Sequence, residues 1–107
     1  AIAQITPDNS LGGDNSVVND TGNGIDSITG GATRNTNLFH SFEQFSVQNG
    51  RIASFENAPN IQNIITRVTG NSISDIDGAI AARGTANLFL LNPNGIVFGQ
   101  NARLDIG

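Results

Sequence analysis

The sequence predicts an all-β fold of short strands wound into stacked coils, and three observations predict it. The first is composition: 107 residues include 15 Asn, 13 Gly and six Phe, with no Cys, Met, Trp, Tyr or Lys. Asn and Gly reach positive φ in turns at little steric cost, while the strong helix formers Lys, Met and Glu are absent or scarce. The second is rhythm: short runs rich in β-branched and aromatic residues alternate with clusters of Asn, Gly, Asp and Pro. That is the pattern of strands joined by turns. The third is spacing. Gly30, Gly50 and Gly70 each end a run and lie twenty residues apart, which resembles one coil of a solenoid whose neighbours stack over a continuous core.

Taken in order, Ala1-Ile2-Ala3 has the small-x-small form of a signal-peptidase site. This makes residues 1–3 a leader remnant ahead of a mature chain from Gln4, unless the chain simply starts there. Gln4 to Thr6 is a short run stopped by Pro7-Asp8-Asn9. Ser10 to Asn37 is polar and Gly-rich, with apolar islands only at Val17-Val18, Ile25 and Ile28. Then come "NLFHSFEQFSV", "RIASFEN", "NIITRVTG", "DIDGAIAARG", "NLFLLNP", "GIVFG" and "ARLDIG", each bounded by turn residues. The last alternates most cleanly, with Ala102, Leu104 and Ile106 on one face and Asn101, Arg103 and Asp105 on the other. It reads as a strand cut short at its first Gly. In "PNIQNIITRV", Ile61, Ile64, Ile65 and Val68 have helix-face spacing, but the β-branched content from Ile64 to Thr69 favours strand. Leu88 and Leu90 oppose Phe89 and Leu91 in a run apolar on both faces; it needs cover on two sides, as a parallel stack with something packed outside would provide.

Between the two strongest runs stands Asn92-Pro93-Asn94-Gly95, which matches type I turn preferences position by position. Pro93 fixes its own φ and pushes Asn92 towards an extended conformation. The Asn92 side chain is suited to bond a backbone donor two residues on, as an Asx-turn. Turn chemistry alone accounts for all four residues.

The length suits one domain, one able to bury about two-thirds of its unfolded surface. A net charge of −4 and the scatter of Arg34, Arg51, Arg67, Arg83 and Arg103 argue against nucleic acid, which needs clustered cations. Zero Cys excludes a disulfide framework and Cys-ligated metal. No apolar run approaches the ~18–20 residues of a membrane helix, so no stable membrane insertion and no cofactor is expected.

The block "ANLFLLNPNGIVFGQNARLDIG" resembles the signature of the two-partner secretion domain, the N-terminal haemagglutination-activity module of filamentous-haemagglutinin-like exoproteins. "LFHSFEQFSV" resembles that family's opening aromatic block, "NIITRVTG" its middle strand, and "QITPDNSLGG" its mature N-terminus, all in the family's order over nearly the whole chain. Relatives often carry a second motif, NPNL, where this chain has Ala58-Pro59-Asn60-Ile61, so the first Asn is lost. The resemblance implies a right-handed parallel β-helix with extra-helical strands and an N-terminal cap, residues 4–107 forming the front part of such a domain. It implies a module recognised in the periplasm by the POTRA domains of an outer-membrane β-barrel transporter, after which the protein folds at the cell surface of a Gram-negative-type envelope. Recognition or fold nucleation is then carried by Asn92, Pro93, Asn94, Gly95 and Ile96, with Asn60, Ile61, Arg67, Val68, Thr69 and Gly70 as a secondary motif. A glycan or protein receptor would be met through a downstream passenger.

The residues also offer three rival readings. "TGNGIDSIT" (Thr21–Thr29) fits the calcium-binding nonapeptide except at its first position, but has no second copy to stack on. Asp75 and Asp77 lie two apart, on one face if extended, as a pair capable of acid/base work on glycosides; they lack a convergent partner, so no enzyme is expected. A passive adhesive solenoid binding glycan or host protein needs no motif at all. The single His40, among Leu38, Phe39 and Phe42, reads as a half-buried structural residue.

Overall fold

The computed structural model describes residues 5–105, and over them the chain is a β-solenoid of about three turns. The expected leader remnant at Ala1–Ala3, and Ile106 and Gly107 of the closing strand, lie outside the described residues. In chain order the strands are β1 (Ile5–Pro7), β2 (Ser16–Asp20), β3 (Ile25–Gly30), β4 (Ala32–Arg34), β5 (Asn37–Phe45) and β6 (Ile52–Phe55). There follow β7 (Asn63–Val68), β8 (Ser74–Ile76), β9 (Ala79–Ala82), β10 (Asn87–Leu91), β11 (Ile96–Phe98) and β12 (Arg103–Asp105).

Parallel pairing sorts these strands into three faces. β3, β6, β9 and β12 stack as one, and β5, β7 and β10 as the second. β8 and β11 form the third, which Val47 joins through a single bridge to Ile76. The N-terminal edge differs: β1 and β4 both pair antiparallel with β5, and β2 pairs antiparallel with β3. These cap strands occupy the edges that the first coil would otherwise present to another chain.

The register gives the true period. Asn37 pairs with Asn63 and Asn63 with Asn87, while Ile25, Ile52, Ala79 and Arg103 form a second column. Ser74 pairs with Ile96. A coil is therefore 22–27 residues long, not twenty. Gly30, Gly50 and Gly70 sit at three different places: the end of β3, the turn before β6 and the corner after β7. A coil has several corners, so turn glycines recur more often than coils do.

Each strand buries alternate residues. Leu38, His40 and Phe42 of β5 point inward, as do Ile64, Thr66 and Val68 of β7, Ala53 and Phe55 of β6, and Ile80 of β9. The helix-like spacing around Ile61 thus resolves as strand, with Ile61 buried in the preceding turn and Ile65 facing out. "DIDGAIAARG" breaks into β8 and β9 at Asp77-Gly78, where a Cβ on Gly78 would collide with the carbonyls of Gln48 and Arg51. The polar stretch from Ser10 to Asn37 holds more structure than its apolar islands predict. It contains a 3-10 turn (Gly12–Asp14), the β2–β3 hairpin and β4, with Ile28 fully buried. Cap strands need few inward residues, so their pattern is faint.

The cover expected on both faces of the Leu88–Leu91 run is found on one face only among the described residues. Phe89 and Leu91 on the outer face of β10 are about half exposed, at 49% and 53%. Leu104 stacks in register on the buried Ile80, yet it is exposed. Among the described residues β12 has a strand neighbour on one side only.

At the heart of the core, Phe42 and Phe45 lie 5.3 Å apart and Phe45 and Phe55 6.0 Å apart between ring centroids. His40 joins them, 5.4 Å from Phe55, and is fully rather than half buried. Its Nδ1 lies 2.7 Å from Ser16 Oγ on the cap strand β2, so it also ties cap to core. Burial pushes its pKa down from 6.5 to about 4. As pH falls through the ordinary value the unfolded chain takes up a proton that the folded chain refuses, so stability drops until about pH 4 and then levels. Urea unfolding between pH 7 and pH 4.5 should lose about 2 kcal/mol from this group. His40→Leu should flatten the profile over that window; an unchanged slope would show that His40 is not its source.

Candidate functional site

The Asn92–Gly95 corner is built as its residues predict. Gly95 N–H donates to the Asn92 carbonyl at 3.0 Å, closing a four-residue turn. Asn94 stays out of the left-handed region while Gly95 enters it at φ +114, which fits type I and explains why Gly follows. Asn92 Oδ1 accepts from Asn94 N–H at 2.9 Å, the expected Asx-turn.

The structure adds what these side chains hold. Asn92 Nδ2 donates to the Ser72 carbonyl at 3.0 Å and to Ser74 Oγ at 2.9 Å. Asn94 Nδ2 donates to the Gly70 carbonyl at 2.7 Å, and Ser74 N–H donates to the Gly95 carbonyl at 3.0 Å. The corner is therefore clamped onto the Gly70–Ser74 corner of the preceding coil, with Ser74 itself fully buried. Ile96 packs partly buried against the core, while Pro93, Asn94 and Gly95 are exposed. Both amide side chains serve the coil-to-coil contact, and the Pro93 ring and the turn backbone are what remains on offer outside.

The secondary motif divides. Gly70 meets the corner through Asn94. Arg67 and Thr69 instead meet the N-terminal cap, Thr69 at Asp8 and Arg67 at Ser10. The Asp8 carboxylate accepts from Thr69 Oγ1 at 2.6 Å, Ser41 Oγ at 2.7 Å, and Ser10 Oγ and N–H at 2.7 and 3.0 Å. Arg67 donates to the Ser41 and Ser10 hydroxyls at 2.8 and 2.7 Å. Burial works against the Asp8 charge, but the bonds from Thr69, Ser10 and Ser41 outweigh it and hold the pKa well below the usual carboxylate range. Val68 is core.

Asn60 and Ile61 are brought to neither place. They sit in the turn between β6 and β7, closed by Ile61 N–H donating to the Ala58 carbonyl at 3.1 Å, with Asn60 exposed and Ile61 buried. The clamp at this corner is Asn57, which sequence reasoning missed. Asn57 Oδ1 accepts from Arg83 N–H at 2.9 Å and its Nδ2 donates to the Arg83 carbonyl at 3.1 Å, imitating a strand partner for the next coil. The signal was present: "NAPN" keeps an Asn two places ahead of Pro where NPNG has it one place ahead. Two further coil clamps were missed. Asp77 accepts from Asn101 N–H at 3.1 Å. Asn63 Nδ2 donates to Asn37 Oδ1 at 2.9 Å and Asn87 Nδ2 to Asn63 Oδ1 at 3.4 Å, a ladder announced by the repeated "NLF", "NII", "NLF".

Of the Asp75–Asp77 pair only Asp75 lies within a strand. Asp75 is exposed on β8, while Asp77 lies past the strand end and is engaged with Asn101. Thr21–Thr29 is the β2–β3 hairpin turn running into β3, closed by Thr21 N–H donating to the Ile25 carbonyl at 3.0 Å. Its Asp26 carboxylate is held bidentately by Arg51 at 2.8 and 3.1 Å.

Comparison with known proteins finds no match among curated proteins or solved structures. A family model described as TPS secretion domain matches residues 3–107, and the chain belongs to that family.

Asn92→Ala removes three partners, one of them the buried Ser74 hydroxyl, and should cost about 1–3 kcal/mol in urea unfolding. Asn57→Ala should cost a similar amount, and Pro93→Ala less than about 1 kcal/mol. Equal, negligible effects of both Asn variants would show that the clamps do not hold the coils.

Proposed function

We propose that the NPNG corner is where the secretion machinery reads this chain, on the premise that it is a TPS secretion domain. Such a domain is the secretion-targeting module of a two-partner exoprotein and implies a cognate outer-membrane transporter. The finer reading is that the transporter's POTRA domains bind the module in the periplasm, and that the corner contacts them or nucleates the first stable coils at the surface. The observation that carries it is the family match over residues 3–107.

The geometry supports a dual part for the corner. A chain threading a pore arrives as separate coils, and solenoid contacts lie between neighbours, so each coil can dock on the one before. The Asn92 and Asn94 clamps need only the residues from Gly70 onward. While unmet, the same amides and the Pro93 ring are available to a partner. Absence of Cys suits a chain passing an oxidising compartment before folding.

Residues 4–107 fused to a reporter should be exported only when the partner barrel is present. Export independent of the barrel, or absent with it, would favour a passive adhesive module instead. Asn92→Ala with Pro93→Ala should block that export. Asn57→Ala serves as the control, because it weakens a comparable clamp away from the corner. Block by the corner variant alone marks recognition, block by both marks folding, and normal export of the corner variant removes it from the mechanism.

A further inference from the structure

The chain holds three Asn-Gly pairs, Asn23-Gly24, Asn49-Gly50 and Asn94-Gly95. Such a pair carries a latent reaction. The backbone nitrogen of the Gly, unobstructed by a Cβ on its own residue, can attack the side-chain carbonyl carbon of the Asn before it. The bond from Gly N to Asn Cγ forms, the Cγ–Nδ2 bond breaks, and Nδ2 leaves as ammonia with the proton of the Gly amide. Water then opens the cyclic imide. Opening on the side-chain side gives Asp, and opening on the backbone side gives isoaspartate, with an extra carbon in the main chain. Nothing is oxidised or reduced.

The fold treats the three pairs differently, and not through burial, since Asn23, Asn49 and Asn94 are all exposed. Asn23-Gly24 lies in the β2–β3 hairpin turn and Asn49-Gly50 in the turn before β6. Among the described residues neither of these Asn side chains is hydrogen-bonded, and neither Gly24 N–H nor Gly50 N–H donates a bond. At Asn94-Gly95 every reacting group is held. Gly95 N–H, the nucleophile, donates to the Asn92 carbonyl at 3.0 Å. Asn94 Nδ2, the leaving group, donates to the Gly70 carbonyl at 2.7 Å and to Asn92 Oδ1 at 3.1 Å. To bring Gly95 N onto Asn94 Cγ, the side chain must swing off the preceding coil and the turn must open. Those bonds break first.

We infer that Asn94 is a deamidation site shielded by coil stacking: it converts while the chain is unfolded, and the closed corner stops the reaction. Asn23 and Asn49 stay reactive in the folded solenoid. The products matter at Asn94 in particular. An ionised Asp there only accepts hydrogen bonds, so a carboxylate would stand against the Gly70 carbonyl and Asn92 Oδ1, to which Nδ2 donated. Isoaspartate would lengthen the main chain within a turn closed from Gly95 N–H to the Asn92 carbonyl. Either product loses the clamp permanently, which sets a time limit on the unfolded chain. The same conversion at Asn23 or Asn49 breaks no bond of those side chains. The inference rests on the hydrogen bonds of the corner and holds whether or not a transporter reads it.

The test is site-resolved mass spectrometry of the chain incubated at mildly alkaline pH, both folded and in denaturing urea. All three Asn should convert at comparable rates in urea. In the folded chain Asn23 and Asn49 should go on converting, while Asn94 slows about tenfold or more, because it reacts only while the corner is open. Asn94→Asp, made directly, should unfold at a lower urea concentration than either the wild type or Asn49→Asp. Conversion of Asn94 in the folded chain at its urea rate, or its resistance in urea as well, would overturn the inference. Equal protection of all three sites on folding would show that the clamp is not what shields Asn94. Wild-type stability of Asn94→Asp would show that conversion leaves the corner intact.

Discussion

In-register parallel stacking is the constraint on which the rest of this molecule depends. Beyond the cap, strands pair with the same strand of the neighbouring coil, and a slip of one residue would turn every inward side chain outward. Strands alone resist such a slip weakly here, because several contain only three or four residues. The corners do the locking. Asn92 and Asn94 grip the corner below them, Asn57 grips Arg83 of the next coil, Asp77 grips Asn101, and the Asn37–Asn63–Asn87 ladder holds the start of one face. A short amide side chain offers a donor and an acceptor within reach of a neighbouring turn. The excess of Asn follows from that requirement.

The N-terminal end solves a different problem. A parallel stack has an open first edge, and here antiparallel β1, β2 and β4 close it. Asp8 and His40 fasten this cap by opposite means. Asp8 stays charged because hydroxyls and a backbone N–H surround it, whereas His40 stays neutral because aromatic rings do. From the second coil Thr69 reaches Asp8 and Arg67 reaches the Ser10 hydroxyl beside it. Cap, first coil and second coil therefore share one polar cluster, and the start of the solenoid is its most heavily tied part.

Two exposed surfaces differ in kind. At the NPNG corner the polar side chains are consumed by the fold, so whatever reads it either meets the turn backbone and Pro93 or arrives before the coil closes. On the outer face of the second sheet the reverse holds: Phe89 and Leu91 remain about half exposed in the folded coil. A corner engaged by folding suits a step that precedes it.

Much of this was legible in the residues themselves. Strand identity, the turn at Asn92–Gly95 with its Asx bond, the strand reading of "NIITRV" and the family all follow from local chemistry: β-branched content, proline's fixed φ, and the short reach of an Asn side chain. What sequence could not determine was anything that joins residues of different coils. The coil length, the Asn57 and Asp77 clamps, the parting of Gly70 from Asn60 and the exposure of Leu104 all depend on register. Register is a cooperative property of the whole stack, set when corners of unequal length are brought to the same place. Local preference names the corners, and only the packed coils decide which corner lies over which.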